Sequence, residues 1–121
     1  MKKENFIVGR IKSIKYAFAG FFLLIRTEHA IISQLIIAGV FTGMGFYFGI
    51  SREEWIWQIL AIGLVLGTES LNTAIEKICD FIHPEYHQNI GTIKDVASGA
   101  VTFSALTALA VGALIYIPYF L

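Results

Sequence analysis

Three long apolar stretches dominate the chain, and few polar residues interrupt them. They run from about residue 30 to 50, from about 55 to 82 and from about 96 to 121. A helix of about 20 apolar residues crosses a hydrocarbon core of about 30 Å, so each stretch is long enough to span a membrane. The pattern predicts an all-α integral membrane protein, a single domain with three transmembrane helices.

The first 27 residues follow a different pattern. Apolar residues recur at steps of three and four and fall on one line of a helix: Ile7, Ile11, Ile14, Phe18, Phe21 and Ile25. Basic and polar residues point the other way, among them Lys12, Ser13 and Tyr16. This pattern is typical of an amphipathic helix that lies in the headgroup plane of a membrane. We expect the basic face of this helix, with Lys2, Lys3, Arg10 and Lys12, to contact anionic lipid. Arg10, Lys12 and Tyr16 could instead contact a phosphate ligand.

The connections and their charges predict the orientation. A short turn at residues 51–54 makes the first two spans an antiparallel hairpin, and a longer polar loop with Pro84 and Gly91 occupies residues 83–95. Six of the nine Lys and Arg residues precede residue 27. Because basic residues accumulate on the cytoplasmic side, we expect the N-terminus and the 83–95 loop inside a plasma membrane and the C-terminus outside.

Composition supports a membrane protein and excludes some partners. The chain of 121 residues is 56% hydrophobic and 15% charged, whereas a soluble domain has about 25% charged residues. A formal net charge of zero argues against a nucleic-acid partner. The single Cys79 excludes an internal disulfide. Glycines spaced four apart, such as Gly39 and Gly43, favour close helix packing in lipid. Three spans are too few to enclose a polar site, so we expect an oligomer.

The end of the second span carries the candidate chemistry. Glu69, Asn72, Thr73, Glu76 and Asp80 share an arc of about 100° on a helix, and ionisable residues within a membrane helix indicate a functional site. Glu69 is expected roughly 10 Å below the cytoplasmic edge of the hydrocarbon, where a carboxyl group suits a general base. Glu76 lies at that edge. With Glu28, which precedes the first span, it predicts a pair of ligands for Mg²⁺.

The loop supplies further candidates on the side where ATP would arrive. Lys94 would neutralise phosphate charge, and Tyr86 or His87 would stack on a nucleotide or hydrogen-bond to it; Glu85 and Asp95 lie beside them. The sequence has no Walker glycine loop and no protein-kinase motif. Any phosphoryl transfer must therefore use these carboxylates and basic residues with a metal ion.

At these residues the chain resembles a known family. Glu69-Ser-Leu-Asn-Thr-Ala-Ile-Glu76, Asp80, Pro84-Glu-Tyr-His87 and Lys94-Asp-Val-Ala-Ser98-Gly-Ala are similar to motifs of the prokaryotic diacylglycerol kinases. The form of these motifs resembles the Gram-positive branch, whose members are similar to undecaprenol kinases. Gln34 and Arg10 depart from the pattern of the proteobacterial branch.

The resemblance implies a homotrimeric bundle with active sites between subunits. It implies that Glu69 is the catalytic base and contacts the lipid, that Glu28 and Glu76 bind the metal, and that Ser98 lies near the lipid substrate. ATP contacts are implied at Tyr16, Glu28, Glu76, Glu85, Tyr86, His87, Lys94 and Asp95, with Arg10, Lys12, Asn72 and Asp80 in support. The implied reaction is transfer of the ATP γ-phosphoryl group, with Mg²⁺, to the hydroxyl of a membrane lipid alcohol.

Three alternatives stay open. The alcohol is undecaprenol or diacylglycerol, since both present one primary hydroxyl at the interface. A small multidrug-type transporter also uses a membrane-embedded Glu, although it would usually have four spans. A non-catalytic assembly subunit would explain the glycines but would leave the cost of burying Glu69 unexplained.

Overall fold

The computed structural model describes residues 5–121, which form four helices. They are α1 (Phe6–Thr27), α2 (His29–Phe48), α3 (Arg52–Ile82) and α4 (Gln88–Phe120). The last three are long and apolar enough to cross a membrane, so the prediction of three spans after an N-terminal helix is confirmed. Lys2 and Lys3 lie outside the described residues.

The α2–α3 turn is tighter than the sequence predicts. α2 ends at Phe48 rather than near residue 50, because Gly49 adopts a left-handed conformation with φ 60° and ψ 49°, which glycine adopts without steric cost. α3 begins at Arg52 rather than near residue 55. The Ser51 hydroxyl accepts a hydrogen bond from the Glu54 N–H (3.2 Å), and the Ser51 N–H donates to Glu54 Oε1 (2.9 Å). This capping box starts the helix directly after the turn.

The prediction of a long loop at residues 83–95 is wrong. α4 begins at Gln88, so the connection comprises residues 83–87 only. The His87 ring Nδ1 accepts a hydrogen bond of 3.0 Å from the Asn89 N–H and caps the helix. Gly91 lies inside α4. A glycine destabilises a helix by only about 1 kcal/mol, so it does not end this one. Lys94 and Asp95 are therefore helical residues.

The helices pack unequally along the bundle. α3 and α4 share the most extensive contact, α2 packs on α3, and α1 makes fewer contacts, mainly with α2. No residue of α1 is buried, although Leu24 and Ile25 near its C-terminus are half-buried. We call the end with the α2–α3 turn the turn end, and the end with residues 83–87 the loop end. The junction between α1 and α2 lies at the loop end.

The core of the turn end joins α2, α3 and α4. Ile50, Ile115 and Tyr116 are buried there, and Phe41, Met44, Phe48, Trp55 and Val111 pack around them. A polar network lies within this apolar cluster. The Gln58 amide Nε2 donates to the Phe41 carbonyl oxygen (3.1 Å), and the Tyr116 hydroxyl lies 2.5 Å from Gln58 Oε1 and 3.0 Å from that carbonyl. Each of the three helices contributes one residue, so the network fixes their relative positions.

Gly45 provides a test of the close packing between α2 and α3. A Cβ at Gly45 would lie 2.6 Å and 2.8 Å from two carbon atoms of the Trp55 ring, whereas a Cβ at Gly43 would meet no atom within 4 Å. We expect Gly45→Ala to destabilise the protein by about 1–3 kcal/mol, because overpacking displaces a large ring. Thermal unfolding in detergent measures this loss. Gly43→Ala is the control, and an equal effect of both variants would contradict the packing described here.

Tyr116 provides a test of the buried polar network. Tyr116→Phe removes the donor to Gln58 Oε1 and leaves that buried acceptor without its partner. We expect a loss of about 1 kcal/mol, the size of an interhelical hydrogen bond in a membrane protein. The control is Tyr119→Phe, because the Tyr119 hydroxyl donates to Glu54 Oε1 (2.6 Å) at an exposed position. Denaturation of both variants in detergent should show the larger loss for Tyr116→Phe; a larger loss for Tyr119→Phe would count against the network.

Candidate active site

The polar face of α3 points into the protein near the loop end. Glu69, Asn72 and Thr73 are 9%, 7% and 6% exposed. Glu76, one turn further along the helix, is half-buried, and Asp80 is exposed. The predicted row of polar residues thus runs from a buried position to the surface. Such a row can connect a water-soluble reactant at the surface with a lipid-soluble one below it.

Glu69 is only 9% exposed, and its carboxylate oxygens, which keep some of that exposure, have no protein partner among the described residues. Within residues 5–121 no hydrogen bond or ion pair engages its side chain. Burying a charge without a partner is costly, and such costs are retained at functional sites. A carboxylate in this position can accept a proton from a ligand, because no protein donor competes for its oxygens.

Asn72 extends the site toward Glu76. Its amide Nδ2 donates to Glu76 Oε1 (3.2 Å), which fixes the orientation of both side chains. Among the buried side-chain polar atoms of the described residues, Asn72 Oδ1 alone has no hydrogen-bond partner. A buried acceptor without a donor costs about 1–3 kcal/mol. The site therefore has a free acceptor that a donor from a ligand or a neighbouring subunit would satisfy.

Glu28 joins α1 to α2. It ends α1 and precedes α2 with an extended backbone (φ −101°, ψ 111°), and its side chain caps neither helix. Its carboxylate Oε1 instead lies 3.1 Å from the Lys77 ammonium on α3. Sequence reasoning did not identify Lys77. One feature of the sequence could have drawn attention to Lys77: it is the one Lys or Arg between Arg52 and Lys94.

The donor set can be compared with the needs of Mg²⁺. No three His, Cys, Asp or Glu side chains in residues 5–121 lie close enough together to hold a metal ion. Glu28 and Glu76 are two carboxylates at the loop end. Mg²⁺ is typically bound by one or two carboxylates together with phosphate oxygens and waters. The residues present therefore fit a magnesium ion that arrives with a nucleotide, and they do not form a complete metal cage.

The connection between α3 and α4 places several predicted nucleotide contacts at the loop end. The Lys94 ammonium pairs with Asp80 Oδ1 at 2.6 Å and ties the start of α4 to the end of α3. Tyr86 is exposed, and its ring lies over Gly91. His87 is occupied as the helix cap, and the His83 ring Nδ1 lies 2.6 Å from the carbonyl oxygen of Glu85. The segment offers a cation and an exposed ring next to the polar row.

Other predicted residues lie apart from this centre. Arg10 and Tyr16 are exposed on α1, and the Arg10 guanidinium donates to Ser13 Oγ at 3.2 Å. Lys12 lies on the same exposed helix. On α4, Asp95 and Ser98 are exposed. For Arg10, Tyr16, Asp95 and Ser98, no hydrogen bond or ion pair among residues 5–121 joins the side chain to the polar row. The assignment of these four residues and of Lys12 to the site stays a prediction.

Together, three apolar helices and a buried polar row define a helical membrane protein with an intramembrane site. The model of the prokaryotic diacylglycerol kinase family matches residues 15–116. The chain belongs to this family and is an enzyme of the lipid kinase class, which confirms the resemblance noted in the sequence. Membership argues against the transporter and the assembly subunit as alternatives.

Individual relatives carry two different names. The chain is 35% identical to an undecaprenol kinase of Bacillus subtilis (strain 168) over 107 residues, covering 88% of this chain and 87% of that protein. It is 31% identical to a diacylglycerol kinase of Haemophilus influenzae over 101 residues, covering 84% and 86%. A diacylglycerol kinase of Escherichia coli (strain K12) is 41% identical over 51 residues, 42% of each chain.

Proposed function

We propose that this protein transfers the γ-phosphoryl group of Mg-ATP directly to the hydroxyl of a membrane lipid alcohol, with undecaprenol as the substrate and undecaprenyl phosphate as the product. The observation that carries the proposal is Glu69, a residue only 9% exposed whose carboxylate has no protein partner, in a span of a chain that belongs to a lipid kinase family. A lipid hydroxyl can reach this depth from the bilayer, and ATP can approach from the loop end.

Glu69 acts as the general base in this reaction. The lipid oxygen attacks the γ-phosphorus and forms a new P–O bond, while the bond between the γ-phosphorus and the bridging oxygen breaks and ADP leaves. The hydroxyl proton passes to the Glu69 carboxylate. Asn72 Oδ1 is a free acceptor on the same face of α3 and can accept a hydrogen bond from a second donor, because the single hydroxyl proton goes to Glu69. In phosphoryl transfer, positioning and electrostatic stabilisation provide most of the catalysis.

The nucleotide binds at the loop end. Glu28 and Glu76 would hold Mg²⁺, which offsets negative charge on the phosphates when it is bound. Lys94 would neutralise further phosphate charge. To do so, its ammonium would break the ion pair with Asp80 or contact Asp80 and the phosphate together. The remaining proposed contacts are Tyr16, Glu85, Tyr86, His87 and Asp95 for ATP, with Arg10 and Lys12 in support, and Ser98 for the lipid headgroup.

An apolar groove supports a lipid as the acceptor. It has a volume of about 560 Å³ among α2, α3 and α4, with Gln34, Leu66, Ala105 and Tyr116 in its walls. Leu66 lies three residues before Glu69 on α3, a rise of about 4.5 Å. A hydrocarbon chain in this groove would bring its hydroxyl to the carboxylate.

Undecaprenol is favoured by the similarity to the undecaprenol kinase of Bacillus subtilis, which extends over nearly the whole chain. Diacylglycerol is the second candidate, because a diacylglycerol kinase of Haemophilus influenzae is only slightly less similar over a comparable length. Either alcohol presents a primary hydroxyl to the same base. The groove walls are apolar and would accept either type of chain.

The proposal includes assembly and orientation. A homotrimer with sites between subunits would bring residues of α1 from one chain to the polar row of another, which a single chain does not do. The N-terminus and the loop end would face the cytoplasm of a plasma-membrane protein, since ATP is available there and the basic residues of α1 favour that side. α1 would lie in the headgroup plane as an amphipathic helix.

The substrate can be tested by competition. Purified protein in mixed vesicles receives radiolabelled Mg-ATP together with equal amounts of undecaprenol and diacylglycerol, and the labelled lipids are separated. We expect label mainly in undecaprenyl phosphate. Label mainly in phosphatidic acid would establish the second candidate, and no label in any lipid would overturn the proposed function.

The division of roles on α3 can be tested with two substitutions. We expect Glu69→Gln to abolish turnover and to leave nucleotide binding largely intact, because the variant loses only the proton acceptor. Glu76→Gln should raise the Mg²⁺ requirement and weaken ATP binding. Turnover and nucleotide binding are measured in parallel, with Glu53→Gln as a control because Glu53 is an exposed carboxylate at the turn end. An equal loss of nucleotide binding in the first two variants would argue against this assignment.

A further inference from the structure

Lys77 has no role in the mechanism described above, yet its side chain contacts a proposed metal ligand. The ammonium lies 3.1 Å from Glu28 Oε1, and the Lys77 and Glu28 side chains are 65% and 23% exposed. The ion pair joins the α1–α2 junction to α3. Because three quarters of the Glu28 side chain is covered, its carboxylate has few orientations, and Lys77 supports the one observed.

Both proposed metal ligands are engaged by donors of the same chain. Lys77 holds Glu28, and the Asn72 amide holds Glu76 through a hydrogen bond of 3.2 Å. The two interactions differ in charge. An amide donor leaves the second oxygen and the full negative charge of Glu76 for a cation, whereas an ammonium neutralises Glu28. A divalent cation must therefore compete with Lys77 for Glu28, and it meets no comparable competitor at Glu76.

Lys77 can give up this contact easily. Its side chain is flexible and mostly exposed, and ion pairs at such positions are weak. The ammonium also lies on the residue next to Glu76 in the chain, so after release it stays beside the site. Between Glu28 or Glu76 and the basic residues of α3 and α4, the ion pair of Lys77 with Glu28 is the one found among the described residues.

We propose that Lys77 is a positioning residue that holds Glu28 in place while the site lacks a metal ion and yields this carboxylate when a divalent cation binds, so that Lys77 sets the metal requirement of the enzyme. The inference rests on the proposed function, because it takes Glu28 and Glu76 as the metal ligands. It compares the metal-free with the metal-bound protein, which can be done without the lipid substrate.

The test is binding of Mn²⁺, as a spectroscopic substitute for Mg²⁺, to purified protein with a non-hydrolysable ATP analogue, measured by electron paramagnetic resonance. Lys77→Met should bind Mn²⁺ about two- to fivefold more tightly, the factor that a weak ion pair contributes to an equilibrium. Lys77→Arg should resemble the unaltered protein. Glu28→Gln should bind Mn²⁺ more weakly, and adding Lys77→Met to it should cause no further change. Arg52→Met, about 38 Å away along α3, is the control for loss of one positive charge.

A stability measurement separates this role from a purely structural one. We expect Lys77→Met to lower the unfolding temperature in a chelator and to match the unaltered protein in saturating Mn²⁺, since Lys77 supports Glu28 only when the metal is absent. An equal loss in both conditions, or Mn²⁺ affinity that is unchanged or weaker in Lys77→Met, would overturn the proposal. If the Mn²⁺ affinities follow the expected order but the protein phosphorylates no lipid, the proposed function is wrong and the role of Lys77 stands.

Discussion

The burial of polar side chains on one face of α3 is the constraint on which the rest of the structure depends. Lipid offers no hydrogen bonds, so these side chains must point toward protein. Gln58 near one end and Glu69, Asn72 and Thr73 near the other are all buried, and they fix the rotation of α3 against its neighbours. Gln58 on this face contacts Tyr116 of α4, the helix with which α3 shares its most extensive contact.

The two ends of this face differ in whether their polar side chains have hydrogen-bond partners. At the turn end, Gln58, Tyr116 and the Phe41 carbonyl group satisfy one another with hydrogen bonds, and a satisfied buried network stabilises a single arrangement. At the loop end, Asn72 Oδ1 lacks a donor and Glu69 lacks a partner. The first arrangement leaves nothing to bind a ligand, and the second leaves both a proton acceptor and a hydrogen-bond acceptor. The difference explains why we place the chemistry at the loop end.

The sequence was sufficient for the helices and the polar face because both depend on local periodicity. Apolar length predicts the spans, and the spacing of Glu69 and Asn72 predicts a shared face. It was not sufficient for the start of α4. Pro84 and Gly91 suggested a long loop, but the cap formed by His87 requires a particular ring orientation, which no residue pattern shows. Contacts between distant residues, such as Lys77 with Glu28, depend on helix rotation and were missed for that reason.

The loop end adds ion pairs to the apolar packing of buried residues such as Ile31, Cys79 and Ala97. Lys94 and Asp80 join α4 to α3, and Lys77 and Glu28 join α3 to the junction of α1 and α2. Ion pairs that are partly exposed exchange partners at low cost, whereas an apolar core such as that around Tyr116 must repack as a unit. A charged nucleotide and its metal ion can therefore rearrange the contacts at one end of the bundle without disturbing the other. The packed core around Tyr116 thus keeps α3 in place, while the exposed ion pairs at the loop end can adjust.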